Sequence, residues 1–298
     1  MNLSVAELNS DVIGKRLGMS LYNAAGKLLL KKGVIIAPTF FSHLQEMGYR
    51  SIYLLGGNAN RGAVADVISE RLLARGSAVL KTIFRQLHRQ LGNDIPTVKT
   101  ELLTLARGLL KSIETGTKKL PRLVTLKRNY DYLYQHSVNV AAYSILVGRK
   151  LKYDEGKMLK LCLAALLYDI GMVFVDPEIV NKTSTLGEKE REEVKTHTTV
   201  GFHHLVSQCA FEGLVGLAAV QHHERLDGGG YPNNLIAEDI HEYSKIVSLA
   251  DFFDAWTSDR PHRRMHSVAE AFAVIRKDAG KAFDPRVGEI FMELFEPE

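Results

Sequence analysis

The C-terminal half of the chain holds residues of the types that bind transition metals: His136, Asp169, His197, the adjacent pair His222 and His223, and Asp251. Each lies at or near the end of a predicted helix. Imidazole nitrogens combined with carboxylate oxygens suit Fe, Mn, Co, Ni or Zn. A lone histidine on an apolar face is ordinarily a satisfied core residue. Four beside turns and helix ends, with two aspartates inside apolar segments, point instead to a metal site. The aspartates give the argument its physical basis. In ALLYDIG and VSLADFF, burying an ionised carboxylate costs several kcal/mol unless a partner or a cation compensates. If one carboxylate bridges two ions roughly 3.5–4 Å apart, the site suits two-metal phosphoester hydrolysis. The alternative is that each aspartate caps a helix or pairs with a lysine such as Lys245.

Five motifs then follow in order: HSVNVA at 136–141, LLYDIGM at 166–172, KTHTTVG at 195–201, HHERLDGGGYP at 222–232 and KIVSLADFFDAWTSDRPHRR at 245–264. In type and order they resemble the HD-GYP branch of the HD superfamily, over residues from about 130 to 290. The resemblance implies a metal-dependent phosphodiesterase that hydrolyses cyclic di-GMP to linear pGpG or GMP through a metal-bridging hydroxide. It implies one metal position built from Asp169, His197, His222 and His223, and a second from His136, Asp251, the shared Asp169 and the histidine of the His-Asp dyad. Tyr168 stands where that histidine is expected, so the catalytic pair reads Tyr168 and Asp169. Two divalent or mixed-valence transition metals follow, iron first and manganese as the alternative. Arg260 and Arg263 match positions that contact the ligand phosphates, for which a guanidinium fork is suited; a solvated basic turn is the other reading. Gly230 and Tyr231 belong to the loop that shapes the substrate pocket, with Tyr231 stacking on a base or positioning the loop.

Two departures touch the mechanism. A neutral phenol, with a pKa near 10, is a poorer ligand than imidazole. Met172 replaces a lysine that would place positive charge beside the phosphate. They keep open a second function, a catalytically degenerate cyclic di-GMP sensor or partner-binding scaffold. Tyr132, at the position of a glutamate that helps hold a third ion in some members, argues against a trinuclear centre. Asp254, one turn after Asp251, is a candidate acceptor for a ligand histidine, with helix-surface pairing the alternative. His203, His204, His241 and His262 match no ligand position.

The elements that must position these groups are helical. Periodic segments over 134–150, 155–170, 188–206, 211–223, 241–257, 266–278 and 285–295 imply a mainly α protein whose catalytic part, residues 121–298, is all-α, and the resemblance implies that this part is an HD-type helical domain. Residues 1–57 read as a small α+β N-terminal module, because short alternating segments flank Gly-containing turns. Residues 58–120 read as a linker and helical segment, with GGNANRGA at 56–63 as the linker and two helices over 64–91 and 97–117. Their apolar faces pack on each other or on a second subunit, which would make a homodimer.

The 46% apolar and 24% charged composition is that of a folded globular chain, not a disordered one. A formal charge of +4 suits an anionic ligand without indicating nucleic acid, and no repeated pattern of aromatics interleaves the basic residues of 71–89, where Phe84 stands alone. Cys162 and Cys209 sit in apolar helical stretches without CxxC spacing, so buried thiols and a cytoplasmic location are expected. No apolar run approaches the roughly 20 residues that span a bilayer, and the N-terminus lacks a signal-peptide core. Cyclic di-GMP and a signalling protein are the expected partners, with no membrane and no nucleic acid.

Overall fold

A computed structural model of the chain describes residues 3–18, 20–22, 28–46, 49, 51–55, 70–88, 95–115, 132–182, 184–258 and 266–295. The linker over 56–63, Arg260 and Arg263 lie outside these residues.

The N-terminal module is built on a three-stranded antiparallel sheet. Its central strand β5 (Ser51–Leu55) pairs along β1 (Leu3–Glu7), with Leu3 opposite Leu55, and on its other side along β2 (Arg16–Leu17). A short hairpin, β3 (Leu21–Tyr22) with β4 (Leu28–Leu30), and helix α1 (Pro38–Glu46) complete it. Gly14 and Gly33, at φ of +83° and +89°, make turns that L side chains rarely adopt. Leu8, Val12, Leu17, Leu21, Ile36, Leu44, Ile52 and Leu54 form a core of their own.

After this module the named elements among the described residues are all helices. The elements are α2 (Glu70–His88), α3 (Ile95–Thr115), α4 (Tyr132–Lys150), α5 (Glu155–Leu167), a 3₁₀ segment (Ile170–Phe174), α6 (Pro177–Val180), α7 (Glu188–Lys195) and α8 (His197–His203). A π-helical turn (His204–Gln208), α9 (Gly213–Gln221), α10 (Glu242–Thr257), α11 (Val268–Lys277) and α12 (Pro285–Phe295) follow. The chain is therefore mainly α, with a helical domain behind a small sheet-containing module, as the periodicity predicts.

Helix α4 is the centre of the helical domain, packed by α2, α3, α5, α10 and α12. Its sequence explains this position, since Val138, Val140, Ala141, Ala142, Tyr143, Ile145 and Val147 are apolar all round and fully buried. At its end, Arg149 donates to the carbonyls of Leu110 and Ile113 near the C-terminus of α3. Helices α2 and α3 are part of this core. Leu80, Ile83, Phe84 and Leu87 of α2 and Leu102, Ala106 and Leu109 of α3 are completely buried in one cluster with α4 and α5. Their apolar faces are thus covered within the chain.

Cys162 and Cys209 are free and buried, and burial pushes the Cys162 thiol up to about 12. No helix among the described residues is long and apolar enough to cross a membrane.

Candidate functional site

Helix α5 ends at Leu167, so Tyr168 and Asp169 fall on the turn that leads into the 3₁₀ segment. There the backbone runs directly against the start of α8: a Cβ on Gly171 would lie 1.9 Å from the carbonyl oxygen of His197. Only glycine permits that approach. It brings Asp169 beside His197, although 28 positions separate them in the chain.

The ring orientations fix what this corner can bind. His197 Nδ1 is 2.5 Å from the Val194 carbonyl, and His222 Nδ1 is 2.9 and 3.1 Å from those of Ala218 and Ala219. A carbonyl can only accept, so each Nδ1 carries the hydrogen and each Nε2 presents a lone pair. The two Nε2 atoms lie 3.3 Å apart, at 3.4 and 3.7 Å from Asp169 Oδ1. Ligand atoms of His197, His222 and His223 all fall within 4.8 Å of one another. Acceptors that converge with no hydrogen between them repel, and a cation relieves the repulsion. The donor set therefore fits a metal ion. Burial, reinforced by the neighbouring imidazoles, holds His222 well below the usual histidine range. Burial brings His223 down to about 4. Both rings are neutral at pH 7, the form that ligates. Burial raises Asp169, with the neighbouring His197 opposing.

The second corner is differently furnished. His136 on α4 meets two carboxylates of α10, with Nε2 2.7 Å from Asp251 Oδ1 and Nδ1 2.6 Å from Asp254 Oδ2. Asn139, one turn along α4, donates to the other oxygen of Asp254 at 2.9 Å. The Tyr168 hydroxyl donates to Asp251 Oδ1, also at 2.9 Å. Burial alone would lower His136, but the hydrogen bonds to Asp251 and Asp254 outweigh it and raise the imidazole to about 9. Burial would likewise raise Asp251, and the hydrogen bond and charge of His136 instead hold it far below the usual carboxylate range. In the metal-free protein a proton thus occupies the contact between His136 and Asp251. The lysine alternative is excluded for Asp251, since Lys245 faces Asp284 at 3.9 Å. Asp169 makes no side-chain cap to the segment that follows it. Tyr168 lies between the two corners, its ring 4.8 Å from that of His222 and 6.2 Å from that of His136.

A loop walls the first corner. Glu224 is buried, and its two oxygens accept from the backbone N–H groups of Asn233 and Leu235 at 2.6 and 3.0 Å. Gly230 crosses so near that a Cβ would meet the Glu224 Cα and the Arg225 nitrogen at 2.4 Å. Asp227 turns the loop by accepting from Gly229 N and from two nitrogens of Arg225, which hold its carboxyl down to about 2. The loop thereby presents Tyr231 flat against His223, with ring centroids 4.7 Å apart and 24° between planes. Burial, helped by the charges of Asp169 and Asp251, pushes the Tyr231 phenol up, so it stays protonated.

Of the candidate residues, Asp169, His197, His222 and His223 come together at one corner, and His136, Asp251 and Tyr168 at the other. Tyr231 stacks on the first corner, while Gly230 serves as the point of close backbone approach. Asp254 accepts from the histidine, not from a surface partner. His204, read as an ordinary residue, is buried with Nδ1 2.6 Å from Gln208 Oε1. Asn139, Gly171 and Glu224 were not among the candidates. All three lie inside the motifs HSVNVA, LLYDIGM and HHERLDGGGYP, but their roles arise from contacts that sequence spacing does not encode.

The HD domain family model matches residues 119–287. A cyclic di-GMP phosphodiesterase of Pseudomonas aeruginosa is 33% identical over 222 residues, which are 74% of this chain and 52% of that protein. A cyclic di-GMP phosphodiesterase response regulator of Xanthomonas campestris is 32% identical over 206 residues, 66% of this chain and 54% of its own. A 3'3'-cGAMP-specific phosphodiesterase of Vibrio cholerae is 34% identical over 154 residues, 52% of this chain and 33% of its own. The matches thus span about half or less of the length of these relatives. Among solved structures, an HDG"Y"P protein from Bdellovibrio bacteriovorus shares the fold with a TM-score of 0.59 at 16% identity, covering 98% of this chain and 99% of that one. With the histidine corner formed and HHERLDGGGYP lining it, the chain belongs to the HD-domain family, in its HD-GYP branch.

Proposed function

We propose that the chain is a metal-dependent phosphodiesterase of cyclic di-GMP, yielding linear pGpG or GMP. The observation that carries the reading is the convergence of the His197 and His222 Nε2 lone pairs with Asp169, beside His223, in a buried corner. That this chain is similar to cyclic dinucleotide phosphodiesterases over most of its helical domain supports the choice of substrate class.

Two transition metals are the proposed complement, iron first and manganese as the alternative. Asp169, His197, His222 and His223 would hold one, and His136 and Asp251, with Asp169 shared, the other. Bound metal supplies Lewis acidity toward the phosphate and an activated water. The chain's own groups do the rest. Carbonyls of α9 and of Val194 fix the histidine tautomers, and Asp254 with Asn139 orients His136. Tyr168 keeps its hydroxyl directed at Asp251 as a hydrogen-bond donor and so holds that carboxylate in place. Tyr231 and the Glu224-pinned loop exclude water from one face, and we assign phosphate contacts to Arg260 and Arg263.

Loading purified protein with Fe(II) or Mn(II) under reducing conditions and following cyclic di-GMP, with 3'3'-cGAMP in parallel, tests the reading. Conversion of cyclic di-GMP to the linear dinucleotide or GMP is the expected outcome. One observation favours a second reading, a cyclic di-GMP sensor: the Tyr168 hydrogen bond to Asp251 competes with a second metal. Micromolar binding without turnover would replace the enzyme by the sensor. In that case Tyr168→His combined with Met172→Lys should restore hydrolysis.

A further inference from the structure

Lys195 closes α7 two residues before His197 and extends across the loop, its Nζ 5.4 Å from the centre of the Tyr231 ring. That ring in turn lies on His223. The ammonium is therefore carried on the aromatic wall of the histidine corner, at its outer rim. The lysine side chain is 42% exposed, and its ion pair is with Glu192, a carboxylate on the same helix that is 64% exposed, at 2.6 Å. Pairs of this kind, three residues apart in water, contribute little and exchange readily. Arg225 on the neighbouring loop differs, because two hydrogen bonds commit it to Asp227.

We infer that Lys195 is a substrate-binding residue, whose ammonium leaves Glu192 to meet a phosphate of the cyclic dinucleotide at the rim formed with Tyr231. The inference rests on the cyclic di-GMP reading above. A flexible ammonium is suited to this task, since it approaches a phosphate from many directions as a point charge. Its distance from the reacting corner assigns it to binding and not to bond cleavage. Glu192 becomes a competitor for the same cation, so the two residues act in opposite senses.

The test combines Lys195→Met, Lys195→Arg and Glu192→Gln in the full-length, metal-loaded protein. Equilibrium binding of cyclic di-GMP is measured alongside turnover. Lys195→Met should raise both Kd and KM about five- to twentyfold, leave kcat within about threefold, and flatten the dependence of binding on salt. Lys195→Arg should recover most of the affinity. Glu192→Gln should tighten binding about twofold, a direction that damage to the fold does not produce. Unchanged Kd in Lys195→Met, or weaker binding in Glu192→Gln, overturns the assignment while leaving the enzyme reading intact if wild-type turnover persists. Binding that shifts as expected in a protein without turnover supports Lys195 and removes the hydrolase. A wild-type protein that neither binds nor cleaves cyclic di-GMP overturns both.

Discussion

The two corners of the site hold the same residue types in opposite protonation states, and the difference comes from what each nitrogen faces. His222 and His223 are buried among other imidazoles, which depresses them, His223 to about 4. His136 is equally buried but lies between two carboxylates, which raise it to about 9. A metal at the first corner displaces no proton from His222 or His223 at pH 7, whereas one at the second must displace the proton shared by His136 and Asp251. Affinity at the second corner should therefore climb roughly tenfold per pH unit up to about pH 9 and level off above it. His222 and His223, already neutral, add no such rise at the first corner. Calorimetric titration with Mn(II) between pH 6.5 and 9 resolves the two steps. Two steps with the same pH slope would contradict the assignment of the proton to His136. Tyr168→Phe should strengthen the weaker step, since it removes the hydroxyl that competes for Asp251.

At the scale of elements, the site depends on approaches that only glycine allows. Helix α8 can bring His197 beside Asp169 because Gly171 has no side chain, and a Cβ on Gly201 of α8 would lie only 3.1 Å from the Gly171 nitrogen. A methyl group on Gly171 would meet backbone, not a flexible side chain, so the segment must move as a whole. Gly171→Ala should lower stability by about 3 kcal/mol or more, read as a lower denaturant midpoint. It should also weaken metal binding at the histidine triplet. Normal metal affinity in that variant would show that the 3₁₀ segment does not set the Asp169 position. These contacts also mark how far the sequence could be read. The periodicity of α4, α10 and α12 located those helices to within about two residues, because their apolar positions recur without interruption. The predicted helix over 188–206 breaks at Thr196 into α7 and α8 and ends in a π-helical turn, since His197 must face inward while Lys195 and Glu192 face solvent. The ligand histidines were legible as residue types beside turns. Asn139 and Glu224 were not, because one is defined by a carboxylate 115 positions away and the other by two backbone amides of its own loop.

The whole molecule divides by core and not by motif. The HD family match begins at residue 119, yet the core around the site begins far earlier. Leu80, Ile83, Phe84 and Leu87 of α2, and Leu102, Ala106 and Leu109 of α3, are wholly buried in the cluster that contains Val138, Ile145 and Leu161. Burying each of the larger side chains contributes about 1.5–3 kcal/mol, and a domain's net stability is only about 5–15 kcal/mol. A fragment beginning at residue 119 loses this whole layer and exposes the faces of α4 and α5 that it covers. The N-terminal module is different, because Leu8, Val12, Leu17, Ile36, Leu44 and Ile52 close a separate core. Removing residues 1–55 should thus leave a protein that unfolds cooperatively and binds metal with unchanged affinity. Removing residues 1–118 should leave one that aggregates or unfolds without a transition. Thermal melts of the two truncations, read by circular dichroism with metal added afterwards, decide the point. If the shorter fragment also melts cooperatively and binds metal, α2 and α3 are accessory to the site, and their buried faces must be explained by another role, such as passing a signal from the N-terminal module to α4.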